Sequence, residues 1–342
     1  MLQPNAALAI LICSSNILDN SSLWHYLCHM DINLKAVDTM LGQLEGAYAT
    51  NTIRSYHSDA SQFVDWCLAA GRTPFPLYEG ALIQYLECVH ESYAFTTLRR
   101  RITSIRRVNK LIGYGDIPLS EAYRLTIRRI KRSKPIRTRQ ARGINHDLLL
   151  RAIAAQPDSV VGIRNRALLS MGYDFLARRS ELTALRHQDV EFNTHGSLRG
   201  VIRRSKTDPY ARGRLVFGSE RSTKLLRKWL RKKPDNIPWL FCAVNHGRCL
   251  SHALCGRSVS DIVKRAVIRT RGTRPREAEI SGHSLRVGAA QDLLSDGHDI
   301  GAIMRAGGWS DVSVAMRYLS LAEYNIWQPR AATENKLGEF RW

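Results

Sequence analysis

Ser281-Gly-His-Ser-Leu-Arg-Val-Gly-Ala-Ala290, continued by Ile303-Met-Arg-Ala-Gly-Gly-Trp-Ser-Asp311 and then Tyr318, is the stretch on which the reading of this chain turns. Read as helices, it sets His283 and Arg286 three residues apart, hence on one face. It also brings Trp309 and Tyr318 up 26 and 35 residues behind the histidine. A histidine and an arginine sharing a face can donate hydrogen bonds to phosphate oxygens as negative charge builds on them, and a tyrosine hydroxyl can serve as nucleophile. Taken alone, such a pair is equally an ordinary polar helix face, so support has to come from elsewhere in the chain.

Working outward, Leu176-Ala-Arg-Arg-Ser-Glu-Leu182 repeats the spacing with Arg178 and Glu181. An arginine offers a planar fork matched to phosphate, and a nearby carboxylate can hold that fork in place. An exposed helical ion pair worth a few tenths of a kcal/mol reads the same way locally. Between two β-prone runs lies Arg203-Arg-Ser-Lys-Thr-Asp-Pro-Tyr210, in which Lys206 is the only lysine between Arg178 and Lys224. A hairpin-tip lysine is commonly solubility charge. Among arginines, however, an ammonium loses its proton more readily, and a guanidinium cannot release one at all.

The 342 residues, 44% hydrophobic, suffice for two globular domains with real cores. A formal charge of +21, from 51 Lys and Arg against 30 Asp and Glu, points to a polyanionic partner, nucleic acid foremost. Residues 1–50 contain one lysine and four acids, so the excess is concentrated in the rest of the chain. Seven irregularly spaced cysteines and no cleavable signal fit reduced thiols in a cytoplasmic setting. The apolar run Ala7-Leu-Ala-Ile-Leu-Ile12 is too short to span a membrane. Cys242, His246, Cys249, His252 and Cys255 crowd into fourteen residues, but their spacing fits no standard zinc finger. Phe241-Cys242 reads instead as the end of a buried strand, where cysteine is small and apolar, and no metal site is assigned.

Residues 1–34 form an acidic to neutral arm. Residues 35–130 carry helical periodicity at 36–47, 51–70 (capped by Thr50 or Asn51), 78–90, 96–112 and 118–131, a small all-helical domain. Between Thr97 and Arg142, fifteen Lys or Arg face two acids. The basic set Arg99, Arg100, Arg101, Arg106, Arg107 and Lys110 therefore reads as phosphate-contacting rather than merely solvated, because the acids that usually interleave such a face are missing. Residues 131–142 hold six basic residues in twelve, with a proline and no apolar period: a linker, with Arg137 and Arg139 placed to cross nucleic acid. Residues 143–328 form a second domain. It has helices at 146–155 and 162–176, a small antiparallel sheet from 188–192, 198–204 and 214–217, then helices at 220–232, 259–270, 283–296, 300–305 and 311–319, the last capped by Ser310. Residues 329–342 are a tail.

Arg-x-x-Glu, a hairpin lysine, His-x-x-Arg, Trp and then Tyr, in this order, resemble the tyrosine recombinase, or integrase, family. The resemblance covers roughly residues 35–328, strong in the second domain and architectural in the first. It implies a mainly α, two-domain, C-shaped DNA clamp, with a helical core-binding domain and an α+β catalytic domain. By the same resemblance Arg178 and Arg286 hold the non-bridging oxygens of the scissile phosphate, His283 and Trp309 complete the pocket, and Glu181 orients it. Tyr318 attacks to give a 3′-phosphotyrosyl link and Lys206 protonates the departing 5′ oxygen. The implied activity is site-specific strand exchange without metal, cofactor or ATP. The implied partner is double-stranded DNA carrying recombination sites, bound by a homo-tetramer that is monomeric when free. The setting is the cytoplasm or nucleoid of a bacterium, phage or plasmid host, with no membrane. A type IB topoisomerase, a hairpin-forming resolvase and a catalytically silent DNA-binding regulator are the competing readings, and the last has no physical need for all seven residues.

Overall fold

The computed structural model describes residues 37–134, 141–193, 197–204, 213–271 and 280–320. The chain divides into two compact units, Met1–Thr138 and Arg139–Trp342. The expected arm, Arg137 and Arg139 of the linker, Lys206 and the C-terminal tail lie outside the described residues.

The first unit is helical where described. After helical residues 37–42 come α1 (Thr50–Ala69), α2 (Glu79–Val89), α3 (Phe95–Leu111) and α4 (Glu121–Ser133). Ala60, Phe63, Val64 and Cys67 recur at helical spacing on α1 and close a core with Leu82, Tyr85 and Leu86 of α2 and Leu98, Ile102 and Ile105 of α3. Neither Thr50 nor Asn51 caps α1: its N-cap is Ala49, which makes no side-chain bond.

The basic face of α3 differs from the sequence reading. Its opposing acids come from other elements: Asp59, fully buried on α1, pairs with Arg100, and Asp116 pairs with Arg106 at 2.6 Å. Arg101 is not on the solvent face. It is buried, donates to the Tyr85 hydroxyl at 3.1 Å and stacks 3.7 Å from the Tyr93 ring centroid, so it balances Asp59 in the core and is removed from the phosphate-facing set. Arg107 donates to the Tyr48 hydroxyl at 2.6 Å, while Arg99 and Lys110 are exposed.

The second unit begins with α5 (His146–Ala154), α6 (Val160–Asp174) and the short α7 (Arg179–Ala184). A three-stranded antiparallel sheet follows, β1 (Val190–Phe192), β2 (Leu198–Ile202) and β3 (Arg214–Gly218), in that spatial order. Val201 faces Leu215 and Ile202 faces Arg214. Next come α8 (Glu220–Leu230), β4 (Cys242–Asn245), β5 (Arg248–Ala253), α9 (Gly256–Arg271), α10 (Ser284–Ser295), α11 (Ile300–Gly307) and α12 (Val312–Leu319). The cap of α12 is Asp311, whose carboxylate accepts the Ser313 N–H at 2.7 Å, and not Ser310.

The β4–β5 hairpin is absent from the sequence reading beyond its first residue. His246 and Gly247 join the strands, both at positive φ (45° and 77°), the two-residue turn that matches strand twist. The Cys/His-rich segment is thus a hairpin with Cys242 buried, and among the described residues no group of three His, Cys, Asp or Glu could hold a metal ion. No helix among the described residues is long and apolar enough to cross a membrane.

The start of the second unit is fixed against α10. Ile144 N–H donates to the Ser284 carbonyl at 2.9 Å, and a Cβ on Gly288 would overlap the Ile144 backbone. Because backbone cannot swing aside as a side chain does, Gly288→Ala is expected to destabilise this unit by about 2 kcal/mol or more. Gly256→Ala, with open space around its Cβ, is expected to be neutral. Urea midpoints of the two variants compare them directly, and equal midpoints would show that the contact is soft.

Candidate functional site

The site is built where α6, α7, α10, α11 and α12 converge. Helix α6 ends in a turn in which Leu176 N–H bonds the Tyr173 carbonyl and Ala177 N–H the Gly172 carbonyl, with Leu176 at φ 45°. This is the Schellman arrangement, which usually places glycine at the left-handed position. A leucine there costs roughly 1 kcal/mol or more, and Leu176 is held by burial in the cluster that also contains Ala290, Ile303, Trp309 and Leu319.

Immediately after this turn, Arg178 caps α7 in extended geometry. The pair read as an i,i+3 helical face is therefore a helix start, and the Glu181 carboxylate reaches back to it. One oxygen accepts Arg178 N–H at 2.9 Å and the other its Nη1 at 2.6 Å. Glu181 is almost fully buried and takes a second cation, Arg214 of β3, at 3.2 Å. Arg214 also donates to the carbonyls of Phe175 and Ala306, so it joins α6, α7 and α11. Sequence reading missed Arg214: it opens an ordinary strand, and its partners lie 33 and 92 residues away in the chain.

His283 and Arg286 sit at the start of α10. Ser281 Oγ accepts His283 N–H at 3.1 Å and Ser284 Oγ accepts Ser281 N–H at 3.0 Å, locking the turn. Arg286 is fully buried, with its guanidinium directed at two helix ends: Nη1 donates to the Leu176 carbonyl and Nη2 to that of Gly307 at 2.7 Å. It lies 4.1 Å from the Trp309 ring centroid and 5.6 Å from that of Tyr318, and the two rings are 5.0 Å apart. Gly307 has to be glycine, since a Cβ would enter the Trp309 ring. Gly308, at φ 66°, ends α11 against the Arg214 side chain.

Arg178, Glu181, His283, Arg286, Trp309 and Tyr318 are thus brought together from four chain segments, and the strands β2 and β3 flank the segment that carries Lys206. Burial lowers the Arg286 pKa to about 10, with Arg178 as the next cause. His283 is also held below its ordinary value, by burial first and then by Arg179, Arg286 and Arg178. Three buried nitrogens, His283 Nδ1, Arg286 Nε and Trp309 Nε1, have no hydrogen-bond partner among the described residues. Polar groups in that condition cost about 1 to 3 kcal/mol each when they stay unpaired. Cationic donors and a phenol are thereby gathered in one place, a set suited to meeting negative charge that builds on a bound group.

Residues 142–324 match the model of the phage integrase family, more than half of the chain, and the protein belongs to that family. The recombinase Cre of Escherichia phage P1 is 27% identical over 292 residues, covering 80% of this chain and 84% of that protein. An integrase/recombinase XerD homologue of Selenomonas ruminantium is 27% identical over 303 residues, 84% of this chain and 86% of its own. In fold the chain is similar to the XerH site-specific recombinase bound to its difH substrate (TM-score 0.61, 17% identity, 89% of this chain and 87% of that one). It is also similar to a lambda integrase dimer bound to a core site (TM-score 0.60, 15% identity, 86% and 97%).

The depressed His283 pKa has a signed consequence. Above about 6.5, the ordinary histidine value, the group adds no pH slope. As pH falls below it, the unfolded chain binds a proton that the folded chain resists, and stability is lost. His283→Gln is expected to flatten the fall in unfolding free energy between about pH 7.5 and 5.5, followed by urea titration. A slope identical to that of the parent would place the imidazole in solvent-like surroundings.

Proposed function

We propose that the protein is a site-specific DNA recombinase that cuts and rejoins strands through a 3′-phosphotyrosyl intermediate. The observation that carries this reading is the convergence of Arg178, His283, Arg286 and Trp309 beside the Tyr318 phenol, with Glu181 clamped between two arginines. The phenolic oxygen of Tyr318 forms a bond to phosphorus as the bond to the 5′ oxygen breaks, the phenol proton leaves to a base, and Lys206 delivers a proton to the 5′ oxygen. Negative charge on the non-bridging oxygens is met by Arg178 and Arg286, with the imidazole and indole N–H groups as further donors. Each such donor is worth about 3 kcal/mol of barrier. The ester energy is kept in the phosphotyrosine, so the next strand's 5′ hydroxyl reverses the step without ATP, and the cationic set supplies the charge stabilisation without a metal. The working unit is proposed to be a tetramer assembled on two DNA sites, in a bacterial, phage or plasmid setting. Phosphate contact in the first unit is assigned to Arg99 and Lys110, with Arg100, Arg106 and Arg107 able to reach from their intramolecular partners.

In excess EDTA, the parent protein is expected to form a covalent adduct on DNA from its own locus, and Tyr318→Phe to form none while binding is retained. Lys206→Ala is expected to cleave ordinary DNA roughly 10² to 10⁴ times more slowly, and to recover on a substrate whose bridging 5′ oxygen is sulfur, a leaving group that needs no proton. An adduct in the phenylalanine variant would move the nucleophile elsewhere. Relaxation of a plasmid lacking paired sites would favour a topoisomerase.

Salt titration separates the basic residues. Arg99→Ala with Lys110→Ala is expected to reduce the slope of log affinity against log salt by about 0.9 per lost contact. Arg101→Ala is expected to leave the slope alone and lower the melting temperature. A slope change in the Arg101 variant without destabilisation would contradict its core role.

A further inference from the structure

Gly282, the residue before His283, has a neighbour that the catalytic pattern does not include. A Cβ there would overlap Cγ and Cδ of Arg179 and come within 2.9 Å of Ser260 Oγ. The Arg179 stem therefore lies across bare backbone, and its Nη1 donates to Ser260 Oγ at 3.0 Å. Ser260 in turn donates to the Gly256 carbonyl at 3.3 Å, at the start of α9. Helix α7 is thus tied to α9 through a side chain that passes over the Ser281–Ser284 turn. The two serines of that turn fix its shape from within, and Arg179 closes it from outside.

We propose that Arg179 is a positioning residue for His283, pinning the turn that presents the imidazole through its packing on Gly282 and its hydrogen bond to Ser260. Its role in strand cleavage rests on the recombinase reading above, whereas its effect on His283 requires no DNA. The charge acts together with the packing. The charged groups around the imidazole are Arg179, Arg286 and Arg178, which disfavour the imidazolium, and Glu181, which favours it; burial is the largest influence and Arg179 comes next. A neutral imidazole keeps one donor and one acceptor nitrogen, so it can donate to a phosphate oxygen while its other nitrogen remains able to take a proton. Arg178, one residue away, faces Glu181 instead. Adjacent arginines thereby serve different ends: one grips the carboxylate of the pocket, the other fixes the histidine.

The test is an NMR titration of the His283 imidazole in the DNA-free full-length protein, assigned with His283→Gln, alongside cleavage rates for the same variants. Arg179→Met keeps the stem over Gly282 and removes the charge. Its His283 midpoint is expected to move up toward the ordinary value, and cleavage below neutral pH to slow by roughly tenfold or more. Arg179→Lys is expected to keep the parent midpoint. Gly282→Ala, which displaces the stem, is expected to slow cleavage at all pH values. An unmoved midpoint in Arg179→Met overturns the assignment, as does weaker DNA binding in that variant with His283 unchanged, the mark of a plain phosphate contact. Absence of cleavage by the parent protein would sink the recombinase reading alone, because the titration is read without DNA.

Discussion

A guanidinium removed from water has to be met by oriented acceptors, and Arg286 is met by two helix ends at once. Its terminal nitrogens donate to the carbonyls of Leu176 and Gly307, each in the left-handed turn or last residue that closes α6 or α11. Those carbonyls are what helix termini leave unsatisfied, and they carry the negative end of each helix dipole. No carboxylate bonds Arg286 directly in the hydrogen bonds and ion pairs of the described residues. Its charge is thus not neutralised by a directly bonded carboxylate there, and its Nε has no partner among the described residues. A carboxylate in place of the carbonyls would have neutralised the group it was holding.

The rest of the second unit follows from keeping that geometry. Leu176 has to adopt positive φ so that its carbonyl turns inward, and Gly307 has to lack a side chain so that Trp309 can cover the guanidinium. Arg178 and Trp309, which leave the two turns by one or two residues, are thereby delivered to the same place. Glu181 and Arg214 tie the two turns together: Arg214 bonds the Phe175 and Ala306 carbonyls, one residue before each acceptor of Arg286. Tyr318 arrives on α12, whose Leu319 and Ala315 are buried in the same cluster as Trp309. Trp309 and Tyr318 of the site are also part of the packed core at that end of the unit, the kind of support that electrostatic preorganisation needs.

How much of this the sequence disclosed depends on how far apart the interacting residues stand. Apart from the short α7, the helices of both units and the three-stranded sheet were legible within a few residues, because apolar spacing and turn residues are local. That Arg178, Glu181, His283, Arg286, Trp309 and Tyr318 form one set, which the structure brings together, was legible because type and order survive in one dimension. Arg214 was not, since its importance lies in carbonyls and a carboxylate contributed from distant segments. The buried Arg101 was misplaced for the same reason: the Asp59 that draws it inward is on another helix. The β4–β5 hairpin is overlaid in sequence by a Cys and His spacing that suggests metal, although Asn245-His-Gly247 carries the turn chemistry that announces it.

The central claim is that Arg286 is held as an available charge for the phosphate and is not only a structural tie between helix ends. It is tested most directly by comparing Arg286→Met with the parent protein on two DNA substrates, one with an ordinary scissile phosphodiester and one with an uncharged methylphosphonate at that position. If the charge is what matters, the variant is expected to lose about 10² in cleavage rate or more on the phosphodiester and to approach the parent rate on the methylphosphonate, where no second non-bridging charge needs to be met. An equal loss on both substrates would contradict the claim and reduce Arg286 to a structural residue.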